Sequence, residues 1–262
     1  MYRHHEESLV IMKEYFAQRE DVIALIFGGS VAKGCERPDS GLDGMVVVSQ
    51  EEYERRVKEG TTAEAIRGLC TYEEGYFDVK YMTKEYLADA AEKASEPTRS
   101  SFIKSRVLFS KDPEIAPIVA RIPVFQKQEK EDKLLSFYSD FYLNYYYFLK
   151  ICQPEGYMRI HTVGEIIYSL YRMVLQEQEI LFPSNRRLEE TVAAVSAEAE
   201  ELTCLGKLLA ASQTEEDADA FVAHFQKITT WQPPEDMSRM QTRYVEDYEQ
   251  WWRNPRPLVN EW

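Results

Sequence analysis

The hydrophobic periodicity of this chain changes character once, near Pro123, and that change limits the folds open to it. Before it, short apolar runs rich in β-branched residues alternate with stretches of helical spacing; after it, only helical spacing recurs. Strands are expected over residues 21–27 (DVIALIF), 42–49 (LDGMVVVS), 76–82 (YFDVKYM) and 106–109 (RVLF). Helices are expected over 4–18, 51–58, 62–69 and 84–94, with a short one after Lys111-Asp112-Pro113. The second regime predicts helices over 128–151, 158–181, 185–201, 215–230 and 236–252. Pro154-Glu155-Gly156, Pro183 and Pro233-Pro234 punctuate them, and short connections between antiparallel helices imply a bundle. The fold class is therefore α+β: a mixed sheet with flanking helices over 1–123, followed by an all-α helical bundle domain over 124–262.

Composition narrows the partners. Aromatic residues make up 13% of the chain, too much ring surface to leave in water, which excludes whole-chain disorder. No apolar run approaches the ~18–20 residues that span a bilayer, so no membrane association is expected. The opening MYRHHEESLV lacks a signal-peptide core, which points to a cytoplasmic location. A net charge of −14 repels polynucleotide phosphates and disfavours them as partners, while tolerating a cationic small molecule. Cys35, Cys70, Cys152 and Cys204 form no CxxC pair, and the histidines no HxxxH. Zinc is not expected, and the thiols read as reduced and buried.

The informative stretch is FGGSVAKGCERPDSGLDGMVVV, residues 27–48. A strand ends in Gly28-Gly29-Ser30, a helical turn runs through Lys33-Gly34, and a second strand carries Asp43. Glycines there let backbone N–H groups approach an anion, and the Ser30 hydroxyl adds a donor, so Gly28, Gly29 and Ser30 are candidate triphosphate contacts. The alternative is an ordinary strand-to-helix turn. Lys33 can reach a phosphate as a point charge, or be a solvated lysine. Positions 41 and 43 lie two apart on an extended strand and project to one side, towards the Gly-Gly-Ser loop.

With Gly29-Ser30, Gly34 and Ser40-Gly41-Leu42-Asp43 in this order, the segment resembles the nucleotidyltransferase superfamily of DNA polymerase β-like fold. Its signature is Gly-Ser, a spacer, and Ser-Asp-x-Asp on the next strand. Asp78 in YFDVKYM looks like the family's third carboxylate, and SRVLFSKDPE (105–114) is similar to the strand and turn that close the catalytic domain in the aminoglycoside and lincosamide nucleotidyltransferase branch. The resemblance implies Asp43 and Asp78 as catalytic and metal-binding residues, Mg2+ as cofactor (two ions where the site is complete), and a nucleoside triphosphate such as ATP as substrate. Mg2+ keeps several waters in its octahedral shell, so a few carboxylates and substrate phosphates complete it.

One member of the signature is missing: position 41, the family's first aspartate, is glycine. Either the natural protein lacks a complete metal site, or the sequence carries a disabling substitution. On either account Gly41→Asp is expected to restore the carboxylate pair without steric conflict.

The second regime offers weaker candidates. In FYSDFYLNYYYFLK (137–150), Phe137, Phe141, Tyr145 and Phe148 form one stripe that reads as core, with Tyr138, Tyr142 and Tyr146 beside it as candidates for ring stacking. Arg186-Arg187 reads as a solvated helix start or a phosphate contact. Arg159 and Glu165 read as surface ion-pair residues or cleft-facing groups. The resemblance implies transfer of a nucleoside monophosphate from a nucleoside triphosphate to a hydroxyl of a small molecule with release of pyrophosphate; an aminoglycoside- or lincosamide-like acceptor, as in the antibiotic-modifying branch, is one option among those of a varied family. The alternatives are a catalytically inactive nucleotide- or partner-binding protein, and a protein-modifying nucleotidyltransferase of toxin–antitoxin type. A homodimer is compatible with all three.

Overall fold

Strand β1 (Val22–Gly28), following helix α1 (Arg3–Ala17), is buried almost throughout, as a β-branched apolar run in a sheet interior should be. The computed structural model describes residues 1–255; the end of the expected bundle domain, 256–262, lies outside the described residues. The chain forms two compact units, Met1–Val124 and Phe125 onward.

In the first unit, β1 leads through the short helix α2 (Gly29–Lys33) to β2 (Leu42–Val48), helix α3 (Gln50–Glu59), β3 (Ala63–Arg67) and β4 (Tyr76–Met82). Helices α4 (Lys84–Lys93) and α5 (Glu96–Ser101), strand β5 (Arg106–Ser110) and helix α6 (Ile115–Arg121) complete it. The sheet order is β3-β4-β2-β1-β5. Only β2 and β4 run parallel; the other neighbours are antiparallel, so the sheet is mixed. Ser49 and Thr83 accept backbone N–H bonds from Glu52 and Tyr86, which fixes where α3 and α4 begin. One sheet face packs Leu25, Phe27, Val46, Phe77 and Val79 against Met12 and Phe16 of α1. The other packs Ile26, Met45, Val47 and Met82 against Leu87, Phe102 and Ile115.

Residues 62–69 are not the expected helix but the edge strand β3. Ala63, Ala65 and Arg67 are exposed while Glu64 and Ile66 are half-buried against β4, so pairing with a neighbour overrides the helical preference of Ala and Glu. The cysteines also depart from expectation. All four are free, but Cys35, Cys152 and Cys204 are exposed and Cys70 is half-buried. They sit at element ends and on outer helix faces, where a small thiol has no core to fill.

The second unit contains no strand among its described residues. Its helices are α7 (Lys130–Tyr142), α8 (Gly156–Glu177), α9 (Leu188–Ala193), α10 (Ala197–Ser212), α11 (Glu215–Ile228) and α12 (Ser238–Tyr244). The helix expected over 185–201 is broken: α9 ends, and Ser196 caps a separate α10 by accepting the Ala199 N–H. After α7 the chain continues as a π-helix, Leu143–Cys152. Its wider turn moves the buried stripe to Phe137, Phe141, Tyr145 and Leu149, leaving Phe148 half-buried. No helix among the described residues is long and apolar enough to cross a membrane.

A polar seam runs inside this unit. Asp140 on α7 is 2% exposed and accepts hydrogen bonds from Ser169 Oγ (2.6 Å) and Asn144 Nδ2 (2.9 Å). Burial, and next the Glu165 carboxyl of α8, push the Asp140 carboxyl well above its ordinary range; burial raises Glu165 as well, with His161 opposing. An acid whose folded pKa is raised leaves the native state holding more protons than the unfolded one. Stability from this pair is therefore greatest at or below the ordinary carboxyl range and falls as pH rises above it. Asp140→Asn keeps an acceptor for Ser169 and removes one titrating group. It should raise Tm at pH 8 more than at pH 5, each kcal/mol of relief reading as ~2–4 °C. Thermal melts across that range check this, and an equal shift at both pH values would contradict it.

Candidate functional site

The register of the sheet sets one row of residues across four strands. Gly28 of β1 is paired with Asp43 of β2, Asp43 with Asp78 of β4, and Asp78 with Ala65 of β3. Directly paired residues share a face, and neighbouring strands lie ~4.8 Å apart, so the two carboxylates stand side by side. The same alternation puts Met45 beyond Asp43, and Tyr76, Lys80 and Met82 around Asp78. Asp43, Asp78 and Lys80 line a cavity of about 310 Å³ with Gly29, Met45 and Met82. Its opposite wall comes from Tyr86 of α4, Thr98 and Ser101 of α5, and Phe102. Arg99, fully buried, holds that wall by donating to the carbonyls of Ala94 (2.9 Å) and Ile122 (3.0 Å).

Burial raises the Asp43 carboxyl above its ordinary range, and the Asp78 charge raises it further. Lys80, Lys33 and the Ser30 backbone N–H pull in the other direction. Ser30 thus presents its amide to a carboxylate of the protein itself. Gly29 has a more specific role than general loop flexibility. Its φ is +70°, and a Cβ there would lie 1.8 Å from Asp43 Oδ2, so the Asp43 carboxylate occupies the space that any side chain at 29 would need. Gly28 is less confined: a Cβ there would lie 2.7 Å from Met45 Cε, the mobile end of a flexible side chain.

Position 41 differs from expectation. A Cβ on Gly41 would stand 2.8 and 2.9 Å from ring atoms of Tyr76. An aspartate therefore meets a tyrosine ring rather than open space, and Gly41→Asp is not free of steric conflict. Tyr76 precedes Asp78 by two residues on β4, so its ring leans over the residue just before β2 from the carboxylate side of the sheet. The Arg67 guanidinium lies 5.1 Å from that ring.

The structure brings Gly29, Asp43 and Asp78 into one cavity; Ser30 and Gly28 do not line it, Ser30 reaching Asp43 through its backbone N–H and Gly28 through strand pairing. Lys33, in the last turn of α2, acts on Asp43 but does not line the cavity. Lys80 and Tyr76 went unassigned in the sequence, although alternation from Asp78 places both on its face. Among the described residues no group of three or more His, Cys, Asp or Glu side chains is placed to hold a metal ion. Two adjacent carboxylates fit one hard divalent cation whose shell is completed by water and ligand oxygens; they do not supply enough donors for two.

The weaker candidates of the second unit are engaged locally. Arg187, just before α9, pairs with Glu190 of that helix at 3.2 Å, and Arg159 donates to the Gln213 carbonyl after α10 at 2.8 Å. Tyr138 packs on Trp231 with ring centroids 5.3 Å apart.

No protein-family model matches this chain, and no curated protein matches it significantly. Among solved structures, a nucleotidyltransferase-like protein from Exiguobacterium sibiricum is similar to it at 11% identity. The match covers 96% of this chain and 81% of that one, with a TM-score of 0.46. A likeness at that level decides nothing about activity.

Proposed function

We propose that this chain is a nucleotidyltransferase that moves a nucleoside monophosphate from a nucleoside triphosphate to a hydroxyl of a small molecule. The observation that carries the reading is the Asp43–Asp78 pair, in register on parallel strands, with Asp43 packed directly on Gly29 and accepting from the Ser30 backbone N–H. Its order along the chain is that of the nucleotidyltransferase signature. In the reaction the acceptor oxygen forms a bond to the α-phosphorus, the bond from that phosphorus to the β-phosphate oxygen breaks, and pyrophosphate leaves. The hydroxyl proton passes to Asp78, whose carboxylate has no hydrogen bond or ion pair among the described residues. A divalent cation on Asp43 and Asp78 would offset charge on the triphosphate. The chain's own contribution is to orient the phosphates and to place a proton acceptor beside the incoming hydroxyl. An acceptor carrying amines suits a chain of net charge −14.

A second reading, nucleotide binding without transfer, is favoured by the Tyr76 ring in the space where a third carboxylate would stand. Calorimetry with ATP, GTP, CTP and UTP in Mg2+, alongside pyrophosphate release against a panel of hydroxyl acceptors, separates the two. Asp43→Asn is expected to lower turnover roughly 10²–10³-fold, the scale of losing one charge-stabilising group. Nucleotide bound tightly with no product from any acceptor would favour the second reading. Absence of nucleotide binding would remove both.

A further inference from the structure

Lys80 follows Asp78 by two residues on β4, so the ammonium and the carboxylate emerge on one face of the sheet and line one cavity. They do not pair with each other. Among the described residues Lys80 makes no hydrogen bond or ion pair, and its side chain is exposed rather than locked by packing. It still acts on Asp43 across the cavity. Met45, Met82 and Phe102 supply apolar walls around these charges. Such walls strengthen an electrostatic contact relative to open water. Two carboxylates alone would repel a polyphosphate, and one divalent cation does not balance a triphosphate and two carboxylates together. A lysine lining the same cavity, with no hydrogen bond or ion pair among the described residues, supplies the missing positive charge in a form that suits phosphate, a compact point charge with three donors.

Resting on the nucleotidyltransferase reading above, we propose that Lys80 is the phosphate-binding cation of this cavity. Its Nζ would donate to a non-bridging phosphate oxygen, while Asp43 and Asp78 would hold a single divalent cation that offsets the remaining phosphate charge. The site would thus hold its polyphosphate with one metal ion and one lysine.

The test compares the unaltered protein with Lys80→Met, Lys80→Arg and, as a surface control, Lys58→Met from the exposed side of α3. Calorimetry measures MgATP and inorganic tripolyphosphate binding to each, and Mn2+ titration followed by electron paramagnetic resonance counts ions in the presence of a non-hydrolysable triphosphate. Lys80→Met is expected to weaken both ligands roughly tenfold, the scale of one hydrogen bond between charged groups. Lys80→Arg should retain most of the affinity, Lys58→Met should change nothing, and one Mn2+ should bind per chain. If the unaltered protein binds MgATP and Lys80→Met binds it equally well, the lysine assignment is overturned while the nucleotidyltransferase reading stands. Two Mn2+ per chain would likewise overturn the one-metal arrangement alone. If tripolyphosphate binds through Lys80 but no nucleoside triphosphate does, the phosphate site is upheld and the nucleotide reading falls. Binding of neither ligand overturns both.

Discussion

Gly29→Ala should both destabilise the first unit and, on the transferase reading proposed above, sharply lower turnover. Two costs combine. At φ +70° an L-residue carries a left-handed penalty of about 1–2 kcal/mol. The new methyl would also overlap Asp43, lying 1.8 Å from Oδ2, 2.2 Å from Cγ and 2.7 Å from Cβ. Rotating the carboxylate away cannot relieve the contact with Cβ, so the end of β2 must separate from α2 as well. The expected outcome is a Tm lower by about 4 °C or more and, on the transferase reading proposed above, turnover lower by roughly 10²–10³ through displacement of Asp43. Gly34→Ala provides the control. Its φ is +77° but a Cβ there meets nothing within 4 Å, so it carries the backbone cost without the overlap. Should the two variants lose equal stability and keep equal activity, the close approach of Asp43 to Gly29 would be unimportant. Thermal melts and pyrophosphate release on both variants decide it.

The second large effect concerns position 41 and needs two substitutions. Gly41→Asp alone sets a Cβ within 2.8 Å of the Tyr76 ring, so the new carboxylate must push the ring aside or turn away. Little gain is expected from it. Combined with Tyr76→Ala, the space opens, and a carboxylate at 41 joins Asp43 and Asp78 on one face of the sheet. Restoring one charge-stabilising group is worth ~3–4 kcal/mol in the transition state, a rate rise of roughly 10²–10³. Tyr76→Ala alone should not raise the rate, since it adds no donor. Removing the ring also removes its contact with Arg67, an exposed pairing of small value. Pyrophosphate release measured on all four forms checks this. A full gain from the single Gly41→Asp variant would show that the ring is no obstacle. Nucleotide binding without any gain in the double variant would turn the balance towards the non-transferring reading.

Much of this site is legible along the chain because a strand's alternation is local. The strands expected over 21–27 and 42–49 follow from β-branched apolar runs separated by a glycine-rich turn, and β1 and β2 form there and pair. From Asp43 and Asp78 alone, a period of two leads to Met45, Tyr76, Lys80 and Met82 on the same face. Lys80 was therefore within reach of sequence reasoning, two residues after Asp78 on the same strand. The obstacle at Gly41 was not within reach. It comes from a ring on β4, a strand distant in sequence that lies against β2 only because the two pair in parallel, Leu42 opposite Phe77.

Local pattern determined which segments are apolar enough to be buried, the change from mixed to purely helical periodicity, and the glycine, serine and aspartate order of the site. These depend on side-chain transfer from water and on backbone preferences that act within a few residues. Tertiary structure decided the rest. Residues 63–67 became an edge strand because β4 offered unpaired backbone groups, an energy that no helix propensity records. Leu149 replaced Phe148 in the core because the π-helical turns after Tyr142 shift the buried face. Gly29 carries φ +70° for the sake of a carboxylate from another strand, and Asp140 meets Glu165 only when α7 packs on α8. Each of these joins groups far apart in the chain, and their energies exist only once the backbone has brought them within a few ångströms.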